Sequence, residues 1–378
     1  MTSAKIPPTS HSVASRLALI DALKAVASQL IVLHHLSAYG PVAEAAGEAA
    51  PGLMAWLYDY ARIAVQVFLV VGGFLAARAL APLAEPAFSD PLGLIRRRYQ
   101  RLAIPYLAAL ALAVLGAALA RRWMVDDAIP APPGFFQGLA HAFLLQGLLG
   151  YDSLSAGVWY VAIDFQLFAL MVLVLWAGRH GSTRLGLPAI ALVLVLALAS
   201  LFGFNRDAAW DNWAIYFFGS YGLGAAAWWA SARGRLAAWL GVMATIAIAA
   251  LVVDFRLRIA VALAVALALG FARRGGWLET WPRARVLGFL GRISYSVFLV
   301  HFPICLLANA LFVRSGGTSS EAAMAALILT WGASILAGTA FHRWVESPAS
   351  RWHWEDIPAA LKALGRRIPL LLSARSRS

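Results

Sequence analysis

The sequence predicts an all-α membrane protein, a polytopic bundle of about ten transmembrane helices with no soluble domain. Of its 378 residues, 61% are hydrophobic and 13% are charged, against about 25% charged in an ordinary soluble domain. The mean hydropathy is +0.74, and apolar runs recur along the whole chain. These observations exclude a soluble globular protein, a disordered chain and a disulfide scaffold. They also exclude a soluble enzyme with a single membrane anchor.

The predicted spans follow from the apolar runs, because a helix needs about 20 such residues to cross the hydrocarbon core. Ten runs lie near residues 17–39, 56–80, 102–120, 157–178, 185–203, 213–231, 236–253, 255–272, 287–312 and 322–345. The stretch 135–150 is shorter and rich in Gly, so we expect an interfacial or re-entrant segment there. A cytoplasmic segment at 1–16, a membrane domain at 17–350 and a basic cytoplasmic tail at 351–378 complete the predicted organisation.

The net charge of +13 comes almost entirely from arginines in short loops between the apolar runs. Positive loops stay on the cytoplasmic side of a membrane, and topology therefore explains this charge better than nucleic-acid binding does. The arginines expected inside are Arg78, Arg96, Arg97, Arg98, Arg101, Arg179, Arg184, Arg233, Arg235, Arg273, Arg274, Arg283, Arg285, Arg366 and Arg367. Both termini are thus predicted to be cytoplasmic. The exception is an expected outer turn, DFRLR, which contains Arg256 and Arg258.

The first run carries a polar stripe, although ionisable side chains are costly inside a membrane and by default mark function. At about 100° per residue, Asp21, Lys24, Ser28 and His35 share one helical face. His34 points about 100° away from that face. The rise from Lys24 to His35 is about 16 Å, which puts Lys24 near the cytoplasmic interface and His35 beyond the bilayer centre. A plainer alternative for Asp21 and Lys24 is a pair that lets the helix end sit at the interface.

Two later runs also carry polar residues. Asp164 lies inside the fourth run and needs a partner from another helix, an Arg or a Tyr hydroxyl, unless it makes only a structural bond between helices. In the ninth run, Gly291, Ser294, His301 and Cys305 line up on one face. That pattern is typical of helix packing and is equally compatible with catalysis by His301.

The inner loop IRRRYQRLAIPY places Arg97, Arg98 and Arg101 at the membrane surface. These cations have two possible partners. One is anionic lipid, which attracts basic loops. The other is the phosphate groups of a cytoplasmic cofactor.

Taken together, these segments resemble the acyltransferase-3 family of integral-membrane acyltransferases, from about residue 16 to residue 351. That family opens with a basic residue, ten intervening residues and a His. Here IDALKAVASQLIVLHH supplies Lys24 and His35 at that spacing. Lys24 replaces the more usual Arg, which keeps the charge but lacks the planar fork of a guanidinium.

Five further segments match motifs of the family in the same order. They are VFLVVGGFLAAR, RRRYQRLAIPY with Arg97, Arg98, Arg101 and Pro105, WYVAIDFQLF with Trp159 and Gln166, ISYSVFLVHFP with His301, and HRWVESP with Glu346. In the third of these, Asp164 stands where the family has Glu.

The resemblance implies transfer of an acyl group, commonly acetyl, from cytoplasmic acyl-CoA to a hydroxyl of an extracytoplasmic carbohydrate or glycan precursor. It implies His35 as the catalytic residue and Lys24, Arg97, Arg98 and Arg101 as the cofactor contacts. The expected supporting residues are Asp21, Ser28, Trp159, Asp164, His301 and Glu346. The expected partners are acyl-CoA, the glycan acceptor and membrane lipids, without a metal or nucleic acid, and the expected location is the bacterial inner membrane.

Two questions stay open at the level of sequence. His35 is expected either to act as a general base on the acceptor hydroxyl or to carry the acyl group itself and relay it across the membrane. The rival class of protein is a transporter or flippase for lipid-linked glycans, in which the same polar stripe would line the pathway.

Overall fold

The computed structural model describes residues 17–185, 188–232 and 236–350. The helices are α1 (Ala18–Ala38), α2 (Pro41–Ala49), α3 (Pro51–Tyr60), α4 (Val65–Leu80), α5 (Pro91–Ala120), α6 (Phe135–Ala142), α7 (Val158–Leu185), α8 (Ala191–Phe202), α9 (Ala214–Ala230), α10 (Leu236–Val253), α11 (Leu257–Gly275), α12 (Arg285–Arg314), α13 (Ser320–Phe341) and α14 (Ser347–Ala349). These ranges contain no strand, which confirms the all-α membrane bundle. The predicted terminal segments 1–16 and 351–378, and Arg233 and Arg235, lie outside the described residues.

Each of the ten predicted runs lies on a helix, but the number of long spans differs from ten. Within the described ranges, six helical segments are long and apolar enough to cross a membrane. They are Ala18–Ala38, Pro51–Leu80, Pro91–Ala120, Val158–His180, Arg285–Arg314 and Ser320–Ala349. Helices α8 to α11 occupy the other four runs and are shorter or more highly charged. The 12 residues of α8 rise only about 18 Å, less than the hydrocarbon thickness of about 30 Å.

Close contact between helices depends on small residues, as is usual in membrane bundles. A side chain at Gly291 of α12 would overlap the backbone of Asp21 on α1. A side chain at Gly73 of α4 would likewise overlap the carbonyl of Tyr221 on α9. These two glycines therefore allow α1 to lie directly on α12 and α4 directly on α9.

The turn between α10 and α11 explains the two arginines that departed from the charge pattern. The Arg256 guanidinium is buried and donates to the Asn205 side-chain oxygen at 2.8 Å and to the Leu201 carbonyl at 2.9 Å. Arg258 donates to the Asn205 carbonyl at 2.6 Å and lies 4.9 Å above the Tyr216 ring. Both side chains thus hold this turn against the connection from α8 to α9. This structural role accounts for two arginines in a turn that is expected outside the cytoplasm.

The segment 135–157, between α5 and α7, re-enters the bundle. The Tyr99 hydroxyl of α5 donates to the Ala142 carbonyl at 2.7 Å, and Gln166 of α7 donates to the Leu144 carbonyl at 3.3 Å. Tyr99 precedes the end of α5 by 21 residues, or about 32 Å along the axis. The chain therefore leaves the C-terminal end of α5 and then folds back beside the first half of the same helix. Of the two predicted alternatives, the structure has the re-entrant one.

As a result, α7 begins inside the bundle rather than at its surface. Asp164, six residues after the start of α7, forms an ion pair with Arg98 of α5. The start of α7 therefore lies about 9 Å along its axis from this pair. Because α5 extends for 22 residues beyond Arg98, the start of α7 lies well below the end of α5.

The contact between α1 and α12 gives the first prediction. Gly291→Ala should lower the stability of the protein by about 1–3 kcal/mol, because its β-carbon has no room against Asp21 and the helices must separate. The measurement is the thermal unfolding of purified protein in detergent.

Gly332→Ala on α13 is the matched control, since a β-carbon there meets nothing within 4 Å. It should unfold at the same temperature as the unaltered protein or higher. Equal unfolding temperatures for the two variants would contradict the close contact between α1 and α12.

Candidate active site

Two buried histidines from distant parts of the chain meet in the bundle. Nδ1 of His35 on α1 and Nε2 of His301 on α12 are 2.7 Å apart, at hydrogen-bond distance. The rings are nearly parallel, with an interplanar angle of 6° and centroids 4.9 Å apart. His35 is 8% exposed and His301 is fully buried. The structure therefore brings together two residues that the sequence placed only on separate helices.

Hydrogen-bond partners fix the tautomers of this pair. Nδ1 of His301 lies 2.7 Å from the Phe298 carbonyl oxygen, which can only accept, so this nitrogen carries the hydrogen. In the neutral ring Nε2 of His301 is then an acceptor, and Nδ1 of His35 is its donor. Nε2 of His35 is left with a lone pair. The arrangement holds His35 in the tautomer that a base or a nucleophile requires.

His34 has a different environment, as the helical spacing predicts. Its Nδ1 donates to the Leu57 carbonyl of α3 at 3.3 Å. Its ring lies 5.9 Å from the ring of Tyr58. His34 therefore bonds a neighbouring helix, away from the face that carries His35.

The start of α7 covers one edge of His35. Gly157 has φ +81°, and a β-carbon there would lie 3.3 Å from Cε1 of His35 and 2.9 Å from a ring carbon of Phe298. Glycine is required for both the backbone conformation and the close approach. On another side, the Tyr39 ring lies 5.8 Å from the His35 ring. The His35 ring is thus enclosed by α1, α12 and the turn that leads into α7.

The rest of the predicted polar stripe does not reach His35. The Ser28 hydroxyl is buried and donates to the Ala25 carbonyl of its own helix at 2.9 Å. Lys24 is half-buried, and the charges that act on its ammonium group include Asp21 and Glu346. Asp21, Lys24 and Glu346 form a second polar region, in which Lys24 lies about 16 Å along α1 from His35.

Glu346 belongs to this second polar region. Its carboxylate accepts a hydrogen bond from the buried Ser296 hydroxyl at 2.5 Å and lies 3.0 Å from Nδ1 of His342. His342–Glu346 form a π-helical turn, a distortion that is frequent at functional sites. The predicted supporting residue is therefore held in place by α12 and by its own turn.

Arg98 and Asp164 form an ion pair, with Nη2 and Oδ2 2.5 Å apart. This confirms the prediction that Asp164 has a partner from another helix, and it identifies the partner as an Arg. The Arg98 guanidinium also lies 5.3 Å from the centre of the Phe168 ring. Arg97 and Arg101, by contrast, are exposed on α5. The expected inner loop is thus the first part of helix α5, and its three arginines have different environments.

Trp159, another predicted supporting residue, lies near the start of α7 but packs away from the histidines. It is 38% exposed, and its ring lies 5.6 Å from that of Phe217 on α9. Its contacts are therefore with the flank of the bundle rather than with His35.

Three residues of the re-entrant segment escaped the sequence analysis. His141 is fully buried and accepts a hydrogen bond from the Leu154 amide at 3.2 Å, which fixes the chain just before α7. Gly157 lies against the His35 ring, and Ser155 is two residues before Gly157. A Ser close before a long apolar run is a usual helix-start signal, but it does not reveal what the helix start faces.

The fold and the site define an integral-membrane protein with a buried pair of hydrogen-bonded histidines. The sequence model of the family described as "Acyltransferase domain" matches residues 17–341. Because this range covers most of the 378 residues, the chain belongs to the acyltransferase-3 family and is a membrane acyltransferase. The matched range includes both histidines and the ion pair, while Glu346 lies just beyond it. No curated protein and no solved structure gives a significant match.

The ion pair gives the second prediction. Arg98→Ala and Asp164→Ala should each lower the unfolding temperature in detergent, since each leaves a part-buried charge without its partner. The double variant should lose less than the sum of the two, with a coupling free energy of about 0.5–3 kcal/mol.

Arg97→Ala, next to the pair but exposed, is the control and should combine additively with Asp164→Ala. Additive losses for Arg98→Ala and Asp164→Ala would show that the pair contributes nothing to stability.

Proposed function

We propose that this acyltransferase moves an acyl group, commonly acetyl, from cytoplasmic acyl-CoA to a hydroxyl of an extracytoplasmic carbohydrate or glycan precursor. The observation that carries the proposal is the hydrogen bond from His35 to His301, which leaves Nε2 of His35 unprotonated. His35 is the catalytic base, and His301 is a positioning residue that holds its tautomer. Acyl transfer to an alcohol needs such a group to accept the hydroxyl proton.

The same lone pair permits a second route through His35. Attack of Nε2 on the thioester would place the acyl group on the imidazole and release the thiol before any acceptor binds. The two routes differ in their kinetics. A relay releases one equivalent of thiol per enzyme in the absence of acceptor, whereas general-base catalysis needs both substrates together.

The donor enters, in this proposal, from the side of the second polar region. Lys24 and the exposed Arg97 and Arg101 are the groups available for the phosphates, because charge-assisted contacts to phosphate need accessible cations. Arg98, also expected from the sequence to bind the cofactor, contributes less because Asp164 already neutralises it. The rise of about 16 Å from Lys24 to His35 suits the long pantetheine arm of the donor.

We further propose the bacterial inner membrane as the location, with both termini cytoplasmic. The support is the distribution of arginines, because loops rich in arginine stay on the cytoplasmic side of the membrane. Membership of an acyltransferase family decides against the transporter or flippase as the primary activity. No metal ion and no nucleic acid is needed in this mechanism.

The third prediction concerns the histidines. His35→Ala should lower the rate of acyl transfer by at least about 10²–10⁴-fold, the usual contribution of general-base catalysis. His301→Ala should cause a smaller loss, since the base remains but its tautomer is no longer held. The assay measures radiolabelled acetyl transfer from acetyl-CoA to surface glycans in membranes of the source organism.

His34→Ala is the matched control on the same helix and should keep most of the activity, because its bond to Leu57 is structural. All variants are compared at equal membrane abundance. An active His35→Ala beside an inactive His34→Ala would overturn the assignment of the base.

The fourth prediction tests the donor contacts. Lys24→Ala and Arg101→Ala should raise KM for acetyl-CoA and leave kcat nearly unchanged, because phosphate contacts lie far from the reacting carbonyl. The increase should shrink at high ionic strength, where exposed charges are screened.

Arg62→Ala removes an exposed charge from the connection between α3 and α4 and serves as the control, with KM unchanged. An unchanged KM in both Lys24→Ala and Arg101→Ala would place the phosphates elsewhere.

A further inference from the structure

Among the described residues, a few buried polar side-chain atoms have no hydrogen-bond partner. They are Nε of Arg98, the Tyr106 hydroxyl, both amide atoms of Gln146, the Ser155 hydroxyl and Nε of Arg258. Such atoms are rare because burial without a partner is unfavourable, and each calls for an explanation such as a catalytic role. Ser155 is of particular interest, since it is 3% exposed and lies on the turn that reaches His35.

The position of Ser155 follows from the chain around it. Its carbonyl accepts from the Val158 amide at 3.5 Å, so it belongs to the turn that opens α7. Two residues later, Gly157 lies against Cε1 of His35. Two peptide units span at most about 7.6 Å between α-carbons. The unpartnered hydroxyl therefore belongs to the same turn as the residue that packs against His35.

The start of α7 provides donors at the same place. The first N–H groups of a helix have no acceptor within the helix. In α7 those of Val158 and Tyr160 already donate to the Ser155 and Gly157 carbonyls, which leaves those of Trp159 and Val161. The aligned peptides of this 28-residue helix put partial positive charge at its start. Because α7 begins inside the bundle, these groups lie in an environment where a hydrogen bond to an anion is strong. Cε1 of His35 is bonded to Nε2, so Gly157 packs against an edge of the ring that includes the basic nitrogen.

We propose that the Ser155 hydroxyl and the N–H groups at the start of α7 form the oxyanion hole of this acyltransferase. The inference rests on the proposed function and adds the residue that stabilises the transition state. An oxyanion hole needs fixed donors beside the catalytic base, aimed at the oxygen that becomes charged. Ser155 has the required free donor, and α7 supplies the matching dipole.

The acceptor hydroxyl gives its proton to Nε2 of His35 as its oxygen bonds to the thioester carbon. The carbonyl π electrons move onto the carbonyl oxygen, which becomes the oxyanion bound by Ser155 and the start of α7. When the carbonyl re-forms, the C–S bond breaks and the thiolate takes the proton from Nε2 of His35. The products are the acylated acceptor and free CoA thiol.

The test is Ser155→Ala, assayed for radiolabelled acetyl transfer from acetyl-CoA in membranes of the source organism. Removing one oxyanion-hole donor should lower the maximal rate by about 10²–10³-fold. KM for acetyl-CoA should stay nearly unchanged, since the interaction exists only in the transition state. The unfolding temperature of the purified variant should stay equal or rise, because the hydroxyl has no partner to lose.

Ser153→Ala on the same segment is the matched control, as Ser153 is exposed; it should retain the full rate. A Ser155→Ala variant with the full rate would overturn the oxyanion hole. The proposal would also be overturned if Ser155→Ala unfolded at a lower temperature and lost activity only in proportion to the loss of folded protein. That result would show that the hydroxyl has a structural role. The proposed function fails separately, if the unaltered protein transfers no acetyl group or if His35→Ala is fully active.

Discussion

The hydrogen bond between His35 and His301 is the constraint on which the rest of the site depends. It requires two helices far apart in the sequence to lie side by side, and Gly291 makes this possible by admitting the Asp21 backbone. It also links the Phe298 carbonyl to His35, because the carbonyl fixes the tautomer of His301 and His301 in turn fixes the tautomer of His35. A neutral imidazole has one nitrogen that donates and one that accepts a hydrogen bond. The fixed Phe298 carbonyl therefore determines which nitrogen of each ring keeps its lone pair. The backbone of α12 thus performs the orienting task that a carboxylate performs in other histidine-based sites.

The deep start of α7 is the second determinant of the site. An irregular backbone segment is tolerated at membrane depth only where it is buried in protein or lines a cavity. Here the segment 135–157 is held by Tyr99, Gln166 and His141, and its amides and carbonyls bond within the bundle. The same arrangement that satisfies this backbone delivers the start of a long helix to His35. The position of this helix start beside His35 and the bonding of its backbone are therefore two consequences of a single turn at Gly157.

Charge is divided between two levels of the bundle. Arg98 and Asp164 neutralise one another between α5 and α7, and Glu346 accepts from Ser296 below the histidines. The histidine pair itself has no ionised partner among its described hydrogen bonds. Arg97 and Arg101 meanwhile stay exposed on α5, although they flank the paired Arg98. Neighbouring arginines of one helix therefore have different environments.

The sequence by itself determined the membrane class, the all-α architecture, the position of every predicted run on a helix and the family. It also separated His35 from His34 and required a partner for Asp164, because helical periodicity fixes which residues of one helix share a face. Only the tertiary structure decided which helices are neighbours. His35 and His301 are 266 residues apart, and neither sequence segment indicates that its histidine contacts the other. Ser155 and Gly157 look like an ordinary helix start until α7 is placed inside the bundle. The number of long spans also fell below the predicted ten, since apolar composition does not reveal how far each helix extends.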